Sequence, residues 1–276
     1  MKRVSTVTLA AAVALWAGAA GHAQAPDVLT KAKGKGVLTA CLDPYNYPFS
    51  SNSSDPPGFD VEVARYIAKR AGLRASYFWV DTGTRGGLGR ALRQSIQARK
   101  CDFFMGIAIG PDTGEEMKEK HLTLTRPYLG LGYVLLVQGK ADGATGLKEL
   151  KGVKIGVPMS TPVDAYLFDN GYDRALYLRS REIMKAMAQG EIDAAMVWSP
   201  GLAIARNEHP DGKFHMIPGY VPEPGLRWNV AIAVPETETA LKQFLDESIA
   251  DLLQSGEMKK IVEHYQFPFY PPFDQS

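Results

Sequence analysis

Few residues of this chain are of a type and spacing that could do chemistry, and those that are suit binding better than catalysis. Tyr45, Tyr47 and Phe49 follow an apolar strand-like run and precede a Ser/Pro-rich loop. There they could line a cleft as stacking surfaces, or simply pack a lobe. Arg126, between Thr125 and Pro127, could meet an anionic group or brace the chain where it leaves one unit for another. Ser160 and Thr161 follow Gly156-Val157-Pro158 and open a helical pattern, so they form either an anion site at a helix N-terminus or an ordinary cap. Trp198 stands just past a strand-like run, where its indole could close over a ligand or serve as a lid or protein contact.

Motifs for covalent or metal chemistry do not emerge. The sequence has no Cys-x-x-Cys-His, no His-Glu-x-x-His and no phosphate-binding Gly-Lys-Ser/Thr loop, and Ser199-Pro200 is no nucleophile elbow. His121, His209, His215 and His264 lack metal-ligand spacing, so no metal and no cofactor is expected. Asp102 and Asp193 suggest a carboxylate pair, yet each opens a strand at the end remote from any cleft and reads as a turn residue.

The elements that must position these residues alternate. Val37–Asp43, Ala75–Val80 and Cys101–Ile107 read as strands, with helices over Phe59–Ala71 and Leu88–Ala98 between them. A second set, Val153–Val157, a helix from Ser160, a helix over Ser180–Gln189 and the strand Ile192–Val197, repeats the pattern. Ile192-Asp193-Ala194-Ala195-Met196 echoes Cys101-Asp102-Phe103-Phe104-Met105, as expected for two similar units. Tyr128–Val137 leaves the first unit and Asn229–Val234 returns to it, followed by amphipathic helices over Glu238–Leu253 and Glu257–Tyr265. The fold class expected is α/β: two lobes, each a mostly parallel sheet flanked by helices, joined by two hinge strands. Residues 26–130 and 235–276 would make lobe 1, and residues 131–234 lobe 2 with the hinge strands. Ligands of such sheets lie at the carboxyl ends of the strands, facing the cleft.

Lys2 and Arg3, an apolar run from Val7 to Ala20 and the small residues up to Ala25 read as a signal peptide over residues 1–25, cleaved after Ala23 or Ala25. That run is too short and alanine-rich to span a membrane, so a periplasmic mature protein is expected. The whole chain carries 31 basic and 30 acidic residues; losing Lys2 and Arg3 leaves 29 against 30. A balance near −1 argues against nucleic acid as a partner. No heptad pattern demands a permanent assembly, so a monomer is expected. Cys41 and Cys101 are the only cysteines. A disulfide suits an oxidising compartment, but in adjacent parallel strands their offset of several residues, at ~3.3 Å each, would exceed disulfide reach. Buried thiols are therefore the expectation.

Several segments carry a resemblance. Gly58-Phe59-Asp60-Val61-Glu62-Val63-Ala64, Cys101-Asp102 with Gly106, Arg126-Pro127-Tyr128, Leu150 to Val157 and Gly190-Glu191-Ile192-Asp193-Ala194 are similar in kind and order to type II periplasmic substrate-binding proteins of family 3. In that family an arginine about ten residues before the Pro-Tyr tyrosine holds an amino-acid carboxylate, and an acid after the second-lobe Asp-Ala holds the ammonium. Here those places are Lys118 and Trp198, which unsettles the amino-acid clamp. Cys41 to Ser50, Tyr77-Phe78-Trp79, Arg85-Gly86, Arg90, Lys100 to Gly106, Thr125 to Tyr128 and Val197 to Pro200 further resemble the MxaJ/XoxJ-type proteins encoded with quinoprotein alcohol dehydrogenases. This resemblance implies a non-enzymatic accessory protein whose partner is a quinoprotein alcohol dehydrogenase or its c-type cytochrome. The alternative is a receptor that delivers a small polar or anionic ligand to an ABC permease. A lyase of dehydratase type is a third possibility, without a convincing acid and base pair.

Overall fold

The computed structural model describes residues 27–202, 208 and 212–274. The expected signal peptide lies outside them.

After a short helix α1 (Val28–Lys35), the strands β1 (Val37–Leu42), β4 (Arg74–Trp79) and β5 (Phe103–Ile109) form a parallel trio with β1 in the centre. Helices α2 (Phe59–Arg70) and α3 (Gly87–Gln94) make the crossovers, and the two-residue strands β2 (Tyr45–Asn46) and β3 (Ser50–Ser51) form a hairpin after β1. Helix α4 (Thr113–Glu119) and β6 (Leu122–Leu124) lead into β7 (Leu129–Val137), all nine residues of which are buried. A second parallel trio follows: β8 (Ile155–Pro158) between β9 (Arg174–Tyr177) and β10 (Ala194–Trp198), with helices α5 (Pro162–Asp169) and α6 (Ser180–Ala188). The chain returns through β11 (His215–Met216) and β12 (Arg227–Pro235), then ends in α7 (Thr239–Gln254), α8 (Glu257–His264) and a tail.

The strands join in the order β4-β1-β5-β12-β7-β10-β8-β9. Each trio is parallel, as expected, but the two meet through antiparallel pairs of β5 with β12, β12 with β7 and β7 with β10. The β7–β12 pair is the waist between two lobes. Its sequence lacks polar alternation because both faces are covered. On one side Phe59, Val63 and Ile67 of α2 pack with Leu241, Leu245 and Ile249 of α7 and Val262 of α8 in a single cluster. On the far side Leu135, Val137, Ile155 and Met196 pack with Val163 and Leu167 of α5.

The tail forms a third crossing that the sequence patterns did not reveal. The Gly130 N–H donates to the Tyr270 carbonyl at 3.0 Å. The Tyr270 hydroxyl donates to the Tyr220 carbonyl at 2.9 Å. The Asn229 side chain both donates to and accepts from the backbone of Phe273, each at 2.8 Å. Glycine at position 130 is required by this contact, since a Cβ there would stand 2.7 Å from the Phe273 ring and 2.8 Å from the Pro271 carbonyl oxygen.

Cys41 and Cys101 are joined in a disulfide with Cα atoms 5.6 Å apart, which corrects the expectation of thiols. The expected offset requires Cys101 to be the first residue of an extended strand, whereas β5 begins at Phe103. Arg99 adopts a left-handed φ of 55°, and the following bend lays Cys101 on the face that carries Cys41, Leu92, Ile96 and Phe104. Asp102 secures the bend: its carboxylate accepts from the Thr39 N–H at 2.7 Å, and its own N–H donates to the Thr39 carbonyl at 2.8 Å. Replacing both cysteines with alanine is predicted to lower stability by about 2–4 kcal/mol, as for bridges closing loops of comparable length. Thermal melts of wild type with and without reductant should show the same loss; a reductant-insensitive melt would contradict the bridge.

Candidate functional site

On the lobe 1 side, the carboxyl end of β1 delivers Asp43 into the angle between two loops. Its carboxylate accepts from the Tyr45 N–H at 2.8 Å, from the Thr82 N–H at 2.8 Å and from the Thr82 hydroxyl. Its backbone carbonyl accepts from the Ser50 hydroxyl at 2.7 Å. Asp43 thus ties the β2–β3 hairpin to the loop after β4. Behind it lies a cavity of about 270 Å³ whose lining includes Asn46, Ser50, Asp60, Thr82 and Gly106.

Asp60, in the first turn of α2, is buried and accepts from the Tyr128 hydroxyl at 2.6 Å. Burial raises its pKa to about 7, against an opposing effect of the Tyr128 hydrogen bond. Gly106 admits this carboxylate into the sheet: its φ is +78°, and a Cβ there would lie 3.0 Å from Asp60 Oδ2.

The three aromatics expected to line a cleft separate. Tyr45 is 76% exposed. Tyr47 meets the Tyr265 ring edge-on at 6.1 Å, and Phe49 lies 4.7 Å from the Phe59 ring, so both serve lobe packing. Arg126 is placed apart from the cleft, in a groove with Thr239, Lys242 and Asp246 of α7, where its backbone N–H donates to Asp246 at 2.6 Å. Lys118 is exposed on α4.

On the lobe 2 side, Thr161 caps α5, accepting weakly from the Asp164 N–H at 3.4 Å and donating to the Pro158 carbonyl at 2.7 Å. Ser160, at φ +59°, donates its N–H to the Asp164 carboxylate at 2.8 Å. Asp164 in turn pairs with Arg174. The expected anion site at this helix start therefore already holds a carboxylate from its own first turn. Burial raises the pKa of the Tyr133 hydroxyl, and the Thr161 side chain opposes that rise. Trp198 ends β10 and meets Trp228 at 5.4 Å and Tyr133 at 5.7 Å, so it belongs to an aromatic cluster on one face of the waist.

Beside that cluster, where β5 stops and β12 continues, lies a cavity of about 530 Å³. It is bounded by Gly110 and Pro111 after β5, Pro224 before β12, Arg227 and Trp228 of β12, and Phe273 of the tail. The Arg227 guanidinium sits 4.7 Å from the centre of the Phe273 ring. Neither Arg227 nor Trp228 was singled out in the sequence. The signal was there, since both immediately precede the recognised run Asn229–Val234. Among the described residues no group of three His, Cys, Asp or Glu side chains could hold a metal ion.

The sequence model of the bacterial extracellular solute-binding proteins, family 3, matches residues 38–268. The chain belongs to this family. The L-cystine-binding protein TcyJ of Escherichia coli K12 is 30% identical over 192 residues, covering 67% of this chain and 68% of that protein. The unliganded, open L-cystine solute receptor of Neisseria gonorrhoeae has a similar fold: TM-score 0.72, 16% identity, 90% of this chain and 100% of that one. An ancestral cyclohexadienyl dehydratase gives TM-score 0.67 at 20% identity, over 88% of this chain and 98% of that one. The second substrate-binding domain of Lactococcus lactis GlnP, in its open conformation, gives 0.66 at 22%, over 83% and 95%. Among the described residues no helix of this family member is long and apolar enough to cross a membrane.

Asp60 generates a prediction with a definite sign. Its folded pKa, about 7, lies above the ordinary 3.8, so the folded state holds the proton more tightly than the unfolded state does. Its contribution is fully present below about pH 4 and is lost as pH rises through about 7. Asp60→Asn, which keeps an acceptor for Tyr128, should flatten stability over that interval in denaturant melts at a series of pH values. Parallel profiles for the two proteins would refute this.

Proposed function

We propose that this chain is a periplasmic receptor that collects a small polar or anionic organic solute and presents it to an ABC permease, without transforming it. The single observation that carries the reading is the waist cavity, bordered by the lobe 1 loop at Gly110-Pro111 and by the returning segment at Pro224, so that an occupant would touch both sides of the hinge. Family membership and the binding roles in the relatives' names support it. The N-terminal signal pattern fits export, and no acid and base are positioned together in the cavity for chemistry.

L-cystine, named for the relatives, is the first solute to test, but the lobe walls do not favour an α-amino acid. Lys118 stands on an exposed helix, Trp198 is committed to an aromatic cluster, and the carboxylate Asp164 occupies the start of α5. A zwitterion left without one buried partner loses several kcal/mol, and a loss of ~3 kcal/mol weakens binding about a hundredfold.

Association with a quinoprotein alcohol dehydrogenase or its c-type cytochrome stands second. One observation favours it: Trp198 fills the place of an ammonium partner with an indole, as in the MxaJ/XoxJ-type segment it resembles. Neither the family match nor the relatives' names speak of such a partner.

Calorimetry of the mature protein against a metabolite library, with L-cystine and the twenty standard amino acids included, should find a saturable ligand outside the amino acids. Sub-micromolar binding of any amino acid would overturn the specificity. Absence of any ligand, together with enrichment of a dehydrogenase or cytochrome in a periplasmic pull-down, would move the conclusion to the second reading.

A further inference from the structure

We infer that the waist cavity is a subsite for a small organic monoanion, its carboxylate held by Arg227 and its apolar body lying against Phe273, Pro111 and Pro224. This rests on the receptor reading and names the chemistry of its ligand.

Arg227 is half-buried, yet among the described residues its side chain makes no ion pair or hydrogen bond; its contact is the Phe273 ring at 4.7 Å. A guanidinium stacked by one face keeps its in-plane N–H donors free. That fork matches a carboxylate by two parallel hydrogen bonds. The stacking partner is itself held in place: Phe273 exchanges two backbone hydrogen bonds with the buried Asn229 side chain, two residues along the same strand. Gly130, opposite Asn229 in the pairing, leaves the space that the ring fills. Gly132, opposite Arg227, likewise brings no side chain, so no acid across the strand competes for the cation. Asparagine, phenylalanine and two glycines therefore serve one outcome, a cation oriented before any ligand arrives.

The rest of the lining fixes the class of ligand. Trp228 borders the cavity at the next position of β12, its indole turned to the opposite face, where Trp198 at 5.4 Å and Tyr133 at 6.1 Å brace it edge-on. Pro111 and Pro224 add apolar surface from either side of the waist. The volume, about 530 Å³, lies within the range of small-molecule sites. Asp274 is exposed at the rim, makes no ion pair with Arg227 among the described contacts, and opposes a second negative charge on the ligand. One oriented cation, apolar walls and an acidic rim select a single carboxylate on an apolar body.

The test uses 3-phenylpropionate, its neutral amide and L-phenylalanine, which share one body and differ in charge. Binding to the mature protein is read by calorimetry and by tryptophan fluorescence. The carboxylate should bind saturably, with the amide and the amino acid each at least about tenfold weaker. Arg227→Met should abolish the preference for carboxylate over amide. Arg227→Lys, which keeps the charge and loses the fork, should weaken carboxylate binding while leaving the fold intact by circular dichroism; it carries the test if the methionine variant does not fold. Asp274→Asn should tighten carboxylate binding. Equal affinity for carboxylate and amide, or an Arg227→Lys variant unchanged in affinity, overturns the proposal. Tighter binding of L-phenylalanine also overturns it and points to Arg227 and Asp274 as a zwitterion clamp. If none of the three probes binds while a library solute binds independently of Arg227, the monoanion subsite fails and the receptor reading stands; if no solute binds at all, both fail.

Discussion

The register of β7 against β12 is the constraint on which the rest of this molecule depends. Opposite residues of an antiparallel pair share a face, so pairing Leu131 with Trp228 puts Trp228 on the side of Tyr133 and, through β10, of Trp198. The same register pairs Gly130 with Asn229 and Gly132 with Arg227, which makes the other side a floor of glycine carrying one amide and one guanidinium. A slip of one residue would exchange the two faces, driving an indole into the space of the tail and a cation into the aromatic cluster. Burial on both sides makes such a slip costly, and every one of the nine β7 residues is buried.

That glycine floor explains how the tail takes its place. The tail contributes one backbone hydrogen bond to Gly130 and two to the Asn229 side chain, and reaches lobe 2 through the Tyr270 hydroxyl. Each exchanges contact with water for contact with protein, worth ~1 kcal/mol net, but leaving any of these buried groups unpaired would cost more. The consequence is a waist of two strands with a strap laid over them. Motion of the lobes must carry or displace that strap, so the tail belongs to the hinge as much as β7 and β12 do.

Polar chemistry in the two lobes is largely self-consumed. Asp43 spends its carboxylate on Thr82 and Tyr45, Asp164 on Ser160 and Arg174, and Asp60 on Tyr128. These bonds shape the loops around the cleft but leave little to offer a charged ligand. Arg227 differs because its partner is a ring, which stabilises the cation without using its donors. The contrast leaves the donors of Arg227 at the waist uncommitted among the described residues.

Much of the architecture was legible in the chain because hydrophobic periodicity and strand–helix alternation are local. The two lobes, the crossing segments Tyr128–Val137 and Asn229–Val234 and the closing helices follow from those patterns. What required the tertiary structure were relations between distant residues. Cys41 and Cys101 bond because a left-handed Arg99 bends the chain before β5, a backbone choice that no composition announces. Tyr47 and Phe49 turned to Tyr265 and Phe59, and Arg126 to α7, because an aromatic or an arginine at a loop satisfies whichever neighbour the fold brings first. Sequence marked Trp198 as a residue at the cleft but could not supply Trp228, since only the register of two strands far apart in sequence sets those indoles side by side. Local patterns determined which elements form and in what order; strand register and the path of the tail, both set by packing between remote segments, decided where the Arg227 guanidinium stands against the Phe273 ring.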